Sequence, residues 1–433
     1  MSSVGHGGRD RFVRTARPRC QGVSPRRAAA PTRLAPAARA RPASRRFVAH
    51  ARCKAPRMLR RGVLAAALAG PACTDRPVVE QCFEVVWRVE LGASSGRVAD
   101  ATLGADGSLL LLMDDDDSVI LELSAEGELR EGPHFPEAGA TVSDRHPVAL
   151  AIDQDGRRWA TMVEWSRAVG VWSVFVDDGG PELQAQSIVA PDDAWVWSVG
   201  SLAVHGASLF VGGTVRAPEQ DAFEGEAFVG RLSGLPPTLQ PLAMPPGMQA
   251  ASVLVPSDDR RLYVLAGPAS IDYRDVDLFA VDPQTARIAW QHPVGSTGDP
   301  WKPYVLGAAP AGDGVVVASF DDEALVLERF AAEGESDWRL VYPLATRGYA
   351  ADVASAPEHI VAVVEDRLPV PPDRRLPTPQ VVIAEHDGAL RCSGELALPE
   401  SSVQLVLDPA RDRAFVVSDV DGSDPATIVA LAL

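Results

Sequence analysis

From residue 83 to the carboxyl end the chain repeats one pattern: strand, short turn, strand, longer loop, strand, turn, strand. Short apolar runs such as Ser108–Met113, Ser118–Leu123, Leu209–Gly212, Arg261–Leu265, Gly314–Ser319 and Ile360–Val364 alternate with clusters of Gly, Asp, Pro and Ser. Asp-Gly pairs at 106–107, 155–156, 313–314 and 387–388 separate many of them, the dipeptide that tight hairpins favour. No stretch sustains a helical period. The units begin near residues 98, 146, 198, 249, 304, 349 and 401, which sets a repeat of about fifty residues.

One such unit cannot bury its own apolar face, whereas units stacked around an axis bury one another. Four strands per unit at this spacing predict an all-β chain, a β-propeller of seven four-stranded blades over residues 83–433. Residues 401–433 supply only three strands, Val403–Leu407, Ala414–Ser418 and Ile428–Leu433, while an orphan strand, Phe83–Leu91, precedes the first full unit. Trp87 in the orphan strand matches Trp290 and Trp338, which fall on fourth strands. The amino-terminal strand is therefore expected to complete blade seven and close the ring, removing an edge prone to association. Spacing alone leaves six or eight blades open. Leu278–Trp290, with its Asp282-Pro283 turn and Ala289-Trp290 ending, resembles PQQ-type and related propeller repeats of secreted bacterial proteins. Propeller quinoprotein dehydrogenases carry an adjacent Cys pair at their cofactor, and this sequence has none.

Charge divides the chain in two. Residues 1–57 hold 14 Arg, Lys54 and the single acid Asp10, a net +14. Since the whole chain carries −17, the remainder carries −17 − 14 = −31. So acidic a body repels phosphate backbones and argues against nucleic acid as a partner. The basic segment has no apolar periodicity and is expected to be disordered, either an arm, a transit peptide or residue of a mis-assigned start, with translation beginning at Met58.

After Met58 comes a signal-peptide layout over residues 58–72: Leu59-Arg60-Arg61, the apolar run Gly62–Ala69, then Gly70-Pro71-Ala72. The apolar run is far short of the roughly 20 residues a membrane span needs. Cys73 follows at once and resembles the acylated Cys of a bacterial lipobox, although Gly70 stands where that motif has Leu. Cleavage after Ala72 by an ordinary signal peptidase fits the same residues. That cleavage would leave a soluble secreted protein, whereas acylation at Cys73 makes a periplasmic, outer-membrane or cell-surface lipoprotein held to the membrane by its lipid, with residues 73–82 as tether. The second is the expectation, and either way the body is exported. Cys82 and Cys392 are then the two remaining cysteines of the mature chain, a candidate disulfide in an oxidising compartment.

Loops between second and third strands, and between blades, share one face of a propeller, and here they collect acids and aromatics. The candidate binding face comprises Asp115, Asp116, Glu164, Trp165, Trp195, Asp299, Trp301, Asp321, Asp322, Asp419 and Asp421. Carboxylates from several blades could hold a hard divalent cation such as calcium, or a basic partner. Trp beside carboxylates suits peptides and glycans. Polar hairpin tips on an acidic protein explain the same residues without any ligand. Catalytic signatures are scarce: Gly92-Ala93-Ser94-Ser95-Gly96 lacks the strand–turn–helix setting of a nucleophile elbow, and Asp153-Gln154-Asp155-Gly156 resembles a sialidase Asp-box with the wrong Asp-to-Gly spacing. The expected function is non-catalytic binding or scaffolding of an envelope protein, peptide or glycan. The alternative is a hydrolase or lyase using loop-face carboxylates.

Overall fold

The computed structural model describes residues 83–433 apart from short intervals, the longest being 138–143, 187–195, 218–224, 268–274, 297–306, 367–378 and 420–425. Every regular element described is a β-strand, and the strands form seven four-stranded antiparallel sheets. The protein is a seven-bladed β-propeller.

Strand β1 (Glu84–Glu90) precedes the first full blade. Blade 1 consists of β2 (Arg97–Leu103), β3 (Leu109–Asp114), β4 (Val119–Leu123) and β5 (Leu129–His134). Blade 2 consists of β6 (Asp144–Ile152), β7 (Arg158–Ser166), β8 (Val169–Val176) and β9 (Gln184–Gln186). Blade 3 is β10 (Val196–His205), β11 (Ser208–Arg216), β12 (Glu226–Ser233) and β13 (Thr238–Ala243). Blade 4 is β14 (Ala250–Pro256), β15 (Leu262–Gly267), β16 (Asp275–Asp282) and β17 (Arg287–Ser296). Blade 5 is β18 (Gly307–Ala311), β19 (Gly314–Asp321), β20 (Ala324–Phe330) and β21 (Ser336–Pro343). Blade 6 is β22 (Gly348–Ser355), β23 (Ile360–Asp366), β24 (Gln380–Ala384) and β25 (Leu390–Glu395). Blade 7 takes β26 (Ser402–Asp408), β27 (Arg413–Asp419) and β28 (Thr427–Ala432) from the carboxyl end and β1 as its outer strand. The β1–β28 ladder runs from Glu84 opposite Ala432 to Glu90 opposite Thr427, so the predicted ring closure is the observed one.

Burial explains why the repeat is visible. Second strands are covered on both faces by neighbouring blades, so they read as unbroken apolar runs; Leu109–Met113 and all six residues of β15 are buried. Outer strands keep one face in solvent and alternate, as β21 does. The buried apolar side chains fall into seven clusters, one at each seam between successive blades.

Three seams carry the same device. Trp87 Nε1 donates to the Ala125 carbonyl at 2.9 Å, Trp290 Nε1 to Ala332 at 2.8 Å and Trp338 Nε1 to His386 at 2.8 Å. Each indole leaves an outer strand and covers the turn before the outer strand of the next blade. Each meets a glycine there, Gly127, Gly334 or Gly388, with φ of +86°, +89° and +83° and room for no Cβ.

The Asp-Gly turns match expectation at Gly107, Gly156 and Gly388, which take φ values of +83°, +79° and +83°. At 313–314 the expectation is corrected. There Gly312 holds the left-handed conformation at φ +61°, while Gly314 opens β19 where a Cβ would lie 2.0 Å from the Phe330 carbonyl oxygen.

Candidate functional site

Of the residues predicted to form a binding face, Asp115, Asp116, Trp195, Asp299, Trp301, Asp322 and Asp421 lie outside the described residues, as do Cys73 and Cys82. Glu164 and Trp165 sit near the end of β7, with Trp165 opposite Asp144 and Gly170 in the ladders. Glu164 is engaged locally: Arg145 Nη2 contacts its Oε1 at 2.6 Å and Ser173 Oγ approaches its Oε2 at 3.4 Å. The pair is largely buried, Arg145 at 15% and Glu164 at 19% side-chain exposure, so Glu164 serves mainly to neutralise a buried guanidinium. Asp321 ends β19 and pairs at 3.0 Å with Arg339 of β21, the outer strand of the same blade, across the intervening β20. Asp419 ends β27 opposite Ser402. The described acids of this face are thus spread over separate blades.

Deeper in the ring lies a tier that the sequence reading did not single out. Asp100 on β2 and Asp352 on β22 belong to inner strands, which border the central axis. Each accepts the amide of its own successor, Ala101 or Val353, both at 2.8 Å. Each also accepts an amide from the inner strand of the next blade: Leu150 to Asp100 at 2.7 Å, Leu405 to Asp352 at 2.8 Å. Burial drives the Asp100 carboxyl up to about 7, against the pull of those two amides and with a further push from the charge on Asp352. Burial likewise raises Asp352 to about 6. Between them in blade 7, Gln404 donates Nε2 to the Ala99 carbonyl at 3.2 Å, and its buried Oε1 has no hydrogen-bond partner among the described residues. The arrangement stitches inner strands together across seams. Among the described residues no group of three or more His, Cys, Asp and Glu side chains is placed to hold a metal ion.

The cavity of note opens on the opposite rim from the predicted face, at the seam of blades 2 and 3. It holds about 610 Å³ and is lined by the 153–157 turn, Trp159, Ser208, Leu209 and the segment Arg231–Gly234 with Pro237. Its geometry follows from the turn once compared with an Asp-box. Asp153 Oδ1 accepts the amides of Asp155 at 3.0 Å and Arg157 at 2.9 Å, and its Oδ2 accepts Trp159 Nε1 at 3.0 Å. One carboxylate therefore fixes both the turn and the Trp that walls the groove, despite the longer spacing. On the other wall Arg231 lies 5.5 Å over the Phe210 ring and donates to the Pro283 carbonyl at 2.7 Å, which rigidifies that side. Asp155 and Arg157 leave opposite charges at the rim, 3.6 Å apart and half or more exposed. Such a groove offers an aromatic wall, hydroxyls and mixed charge, the equipment for gripping a polar chain.

No protein-family model matches this chain, and no curated protein matches it. Among solved structures the chain is similar to the crystal structure of the WD40 β-propeller domain of Doa1, at 10% identity and a TM-score of 0.49, over 81% of this chain and 96% of that one. A likeness at that identity concerns the fold alone.

Proposed function

We propose that this chain is an exported, lipid-anchored propeller that binds or scaffolds a protein, peptide or glycan at a bacterial cell envelope. The observation that carries the binding half is the groove of about 610 Å³ between blades 2 and 3, a preformed concavity with Trp159 as wall and the Asp155–Arg157 pair at its rim. Dispersion of the described loop-face acids into separate ion pairs favours recognition over catalysis, which needs groups converging on one reacting atom. The address rests on the signal layout at 58–72, on Cys73, and on the resemblance of Leu278–Trp290 to repeats of secreted bacterial proteins. A disulfide at Cys392 supports an oxidising compartment.

Two measurements test the reading. Intact-mass and amino-terminal analysis of membrane and soluble fractions from the host should find the mature terminus at Cys73 with a diacylglycerol-sized increment. A terminus at Met1 or Met58 would end the export reading. For binding, a photo-crosslinking side chain placed at Gln154 or Ser233 in the groove should yield a discrete adduct in the envelope fraction, absent when the same group replaces Arg130 on an outer strand. Equal labelling from both places would mean the groove is unused.

A further inference from the structure

Register places Cys392 where other blades keep their docking indole. On the outer strands of blades 4, 5 and 7, Trp290, Trp338 and Trp87 each follow directly on a β-bulge, opposite Ala280, Arg329 and Ala430. On the outer strand of blade 6 the residue that follows the bulge, opposite Ile383, is Cys392. Its side chain is 1% exposed and disulfide-bonded.

The partner position can be read from the same device. Each docking indole meets a glycine two residues ahead of the next blade's outer strand: Gly127 before Leu129, Gly334 before Ser336, Gly388 before Leu390. The blade after blade 6 is blade 7, whose outer strand β1 begins at Glu84. Two residues ahead of Glu84 stands Cys82. A Cβ built on the three glycines would come within 2.8–3.0 Å of indole carbons, so side chains at these paired positions are in contact across the seam. Phe83, next to Cys82, is buried in the same apolar cluster as Cys392. Arg88 of β1 donates to the Ala397 carbonyl, just past the strand that bears Cys392, at 3.0 Å.

We infer that the disulfide of Cys392 is made with Cys82, and that it replaces the Trp–Gly contact at the seam of blades 6 and 7 as a covalent clasp on ring closure. Its formation takes two thiols to one disulfide, with two protons and two electrons passing by thiol–disulfide exchange to a disulfide-bearing oxidant, which is reduced to its dithiol. The bond ties the amino side of β1 to blade 6 independently of the β1–β28 ladder. Between Cys82 and Cys392 it closes a loop of nearly the whole propeller, where a cross-link restrains the unfolded chain most. The clasp rests on the export reading only for its oxidant.

Peptide mapping of the full chain tests it, after equilibration in a glutathione redox buffer and alkylation of free thiols in denaturant, which opens buried sulfur to the reagent. The expected product is a Cys82 peptide linked to a Cys392 peptide, and a melting midpoint that falls by about 5 °C or more on reduction. Cys82→Ser should leave Cys392 open to alkylation and lower the midpoint as much as reduction does, with no further fall on adding reductant. Cys392 linked to Cys73, Cys53 or Cys20, or free in wild type, would overturn the inference. A Cys82–Cys392 bond in redox buffer, together with free thiols in protein taken from the host, would sink the export reading and leave the clasp standing.

Discussion

Trp338 on the outer strand of blade 5 donates its indole N–H to the carbonyl of His386 in blade 6, 2.8 Å away, and its ring lies against Gly388 where a Cβ would intrude to 2.8 Å. Two demands meet at Gly388: a left-handed backbone at φ +83° and an empty Cβ position. Gly156 makes only the first, since nothing lies within 4 Å of its Cβ position. Gly156→Ala should therefore cost about 1 kcal/mol, the conformational penalty alone. Gly388→Ala should cost about 2–4 kcal/mol, because the indole must also move and its hydrogen bond is lost. Urea unfolding midpoints of the two variants, read at equal slope, decide the matter; equal costs would mean the docking contributes nothing.

Much of this fold is legible in the sequence because burial on both faces turns second strands into unbroken apolar runs. The inner strands begin within three residues of the predicted unit starts, from Arg97 in blade 1 to Ser402 in blade 7. The fourth-strand position of Trp87, Trp290 and Trp338 is legible for the same reason. Their glycine partners are not, since Gly127, Gly334 and Gly388 lie 40, 44 and 50 positions beyond their indoles with no local signature. The groove is not legible in the sequence because an Asp-box is defined by a fixed spacing, whereas Asp153 needs only amides within reach of its carboxylate. Asp100 and Asp352 are not legible either, because a single acid in a strand looks like a solvent-facing residue, and only the closed ring carries it inward.

Glu164 stood in the predicted binding face, yet its partner Arg145 gives it a structural task. Glu164→Gln removes the charge that balances a guanidinium only 15% exposed. The expected loss is about 1–3 kcal/mol in urea unfolding. Arg145→Met combined with Glu164→Gln should recover part of it, because no unpaired charge then remains. If Glu164→Gln leaves stability unchanged, the residue is free for a ligand and the structural account fails.

The two inner-strand carboxylates set a pH dependence of known sign. Burial raises Asp100 to about 7 and Asp352 to about 6, so the folded chain holds protons that the unfolded chain has released above its usual 3.8. Their stabilising contribution is fully present below that value and is lost as pH rises through about 6 and about 7. Each site can contribute a slope of up to about 1.4 kcal/mol per pH unit in that window. Asp100→Asn cannot ionise and should flatten the slope between pH 4 and 7, though it loses one of the two amides that Asp100 accepts. Unfolding free energy measured across that range for wild type and variant gives the answer; identical slopes would show that Asp100 ionises as freely folded as unfolded.

His359 works in the opposite direction. It lies at the blade 6 edge of the seam to blade 7, 1% exposed, with neither ring nitrogen hydrogen-bonded among the described residues and Nε2 3.6 Å from Asp412 Oδ1. Burial depresses its pKa below 6.5; Asp412 and Glu385 oppose that shift, while Arg391 and His386 add to it. The folded chain therefore binds this proton less readily than the unfolded one. Stability from His359 is present above pH 6.5 and falls as pH drops through the depressed folded value. His359→Gln keeps a polar side chain there without the titration. In an Asp100→Asn, Asp352→Asn background, where the opposing slope is removed, unfolding free energy should decline on acidification from pH 7 to 5. Adding His359→Gln should abolish that decline, and a decline that persists would place the responsible proton elsewhere.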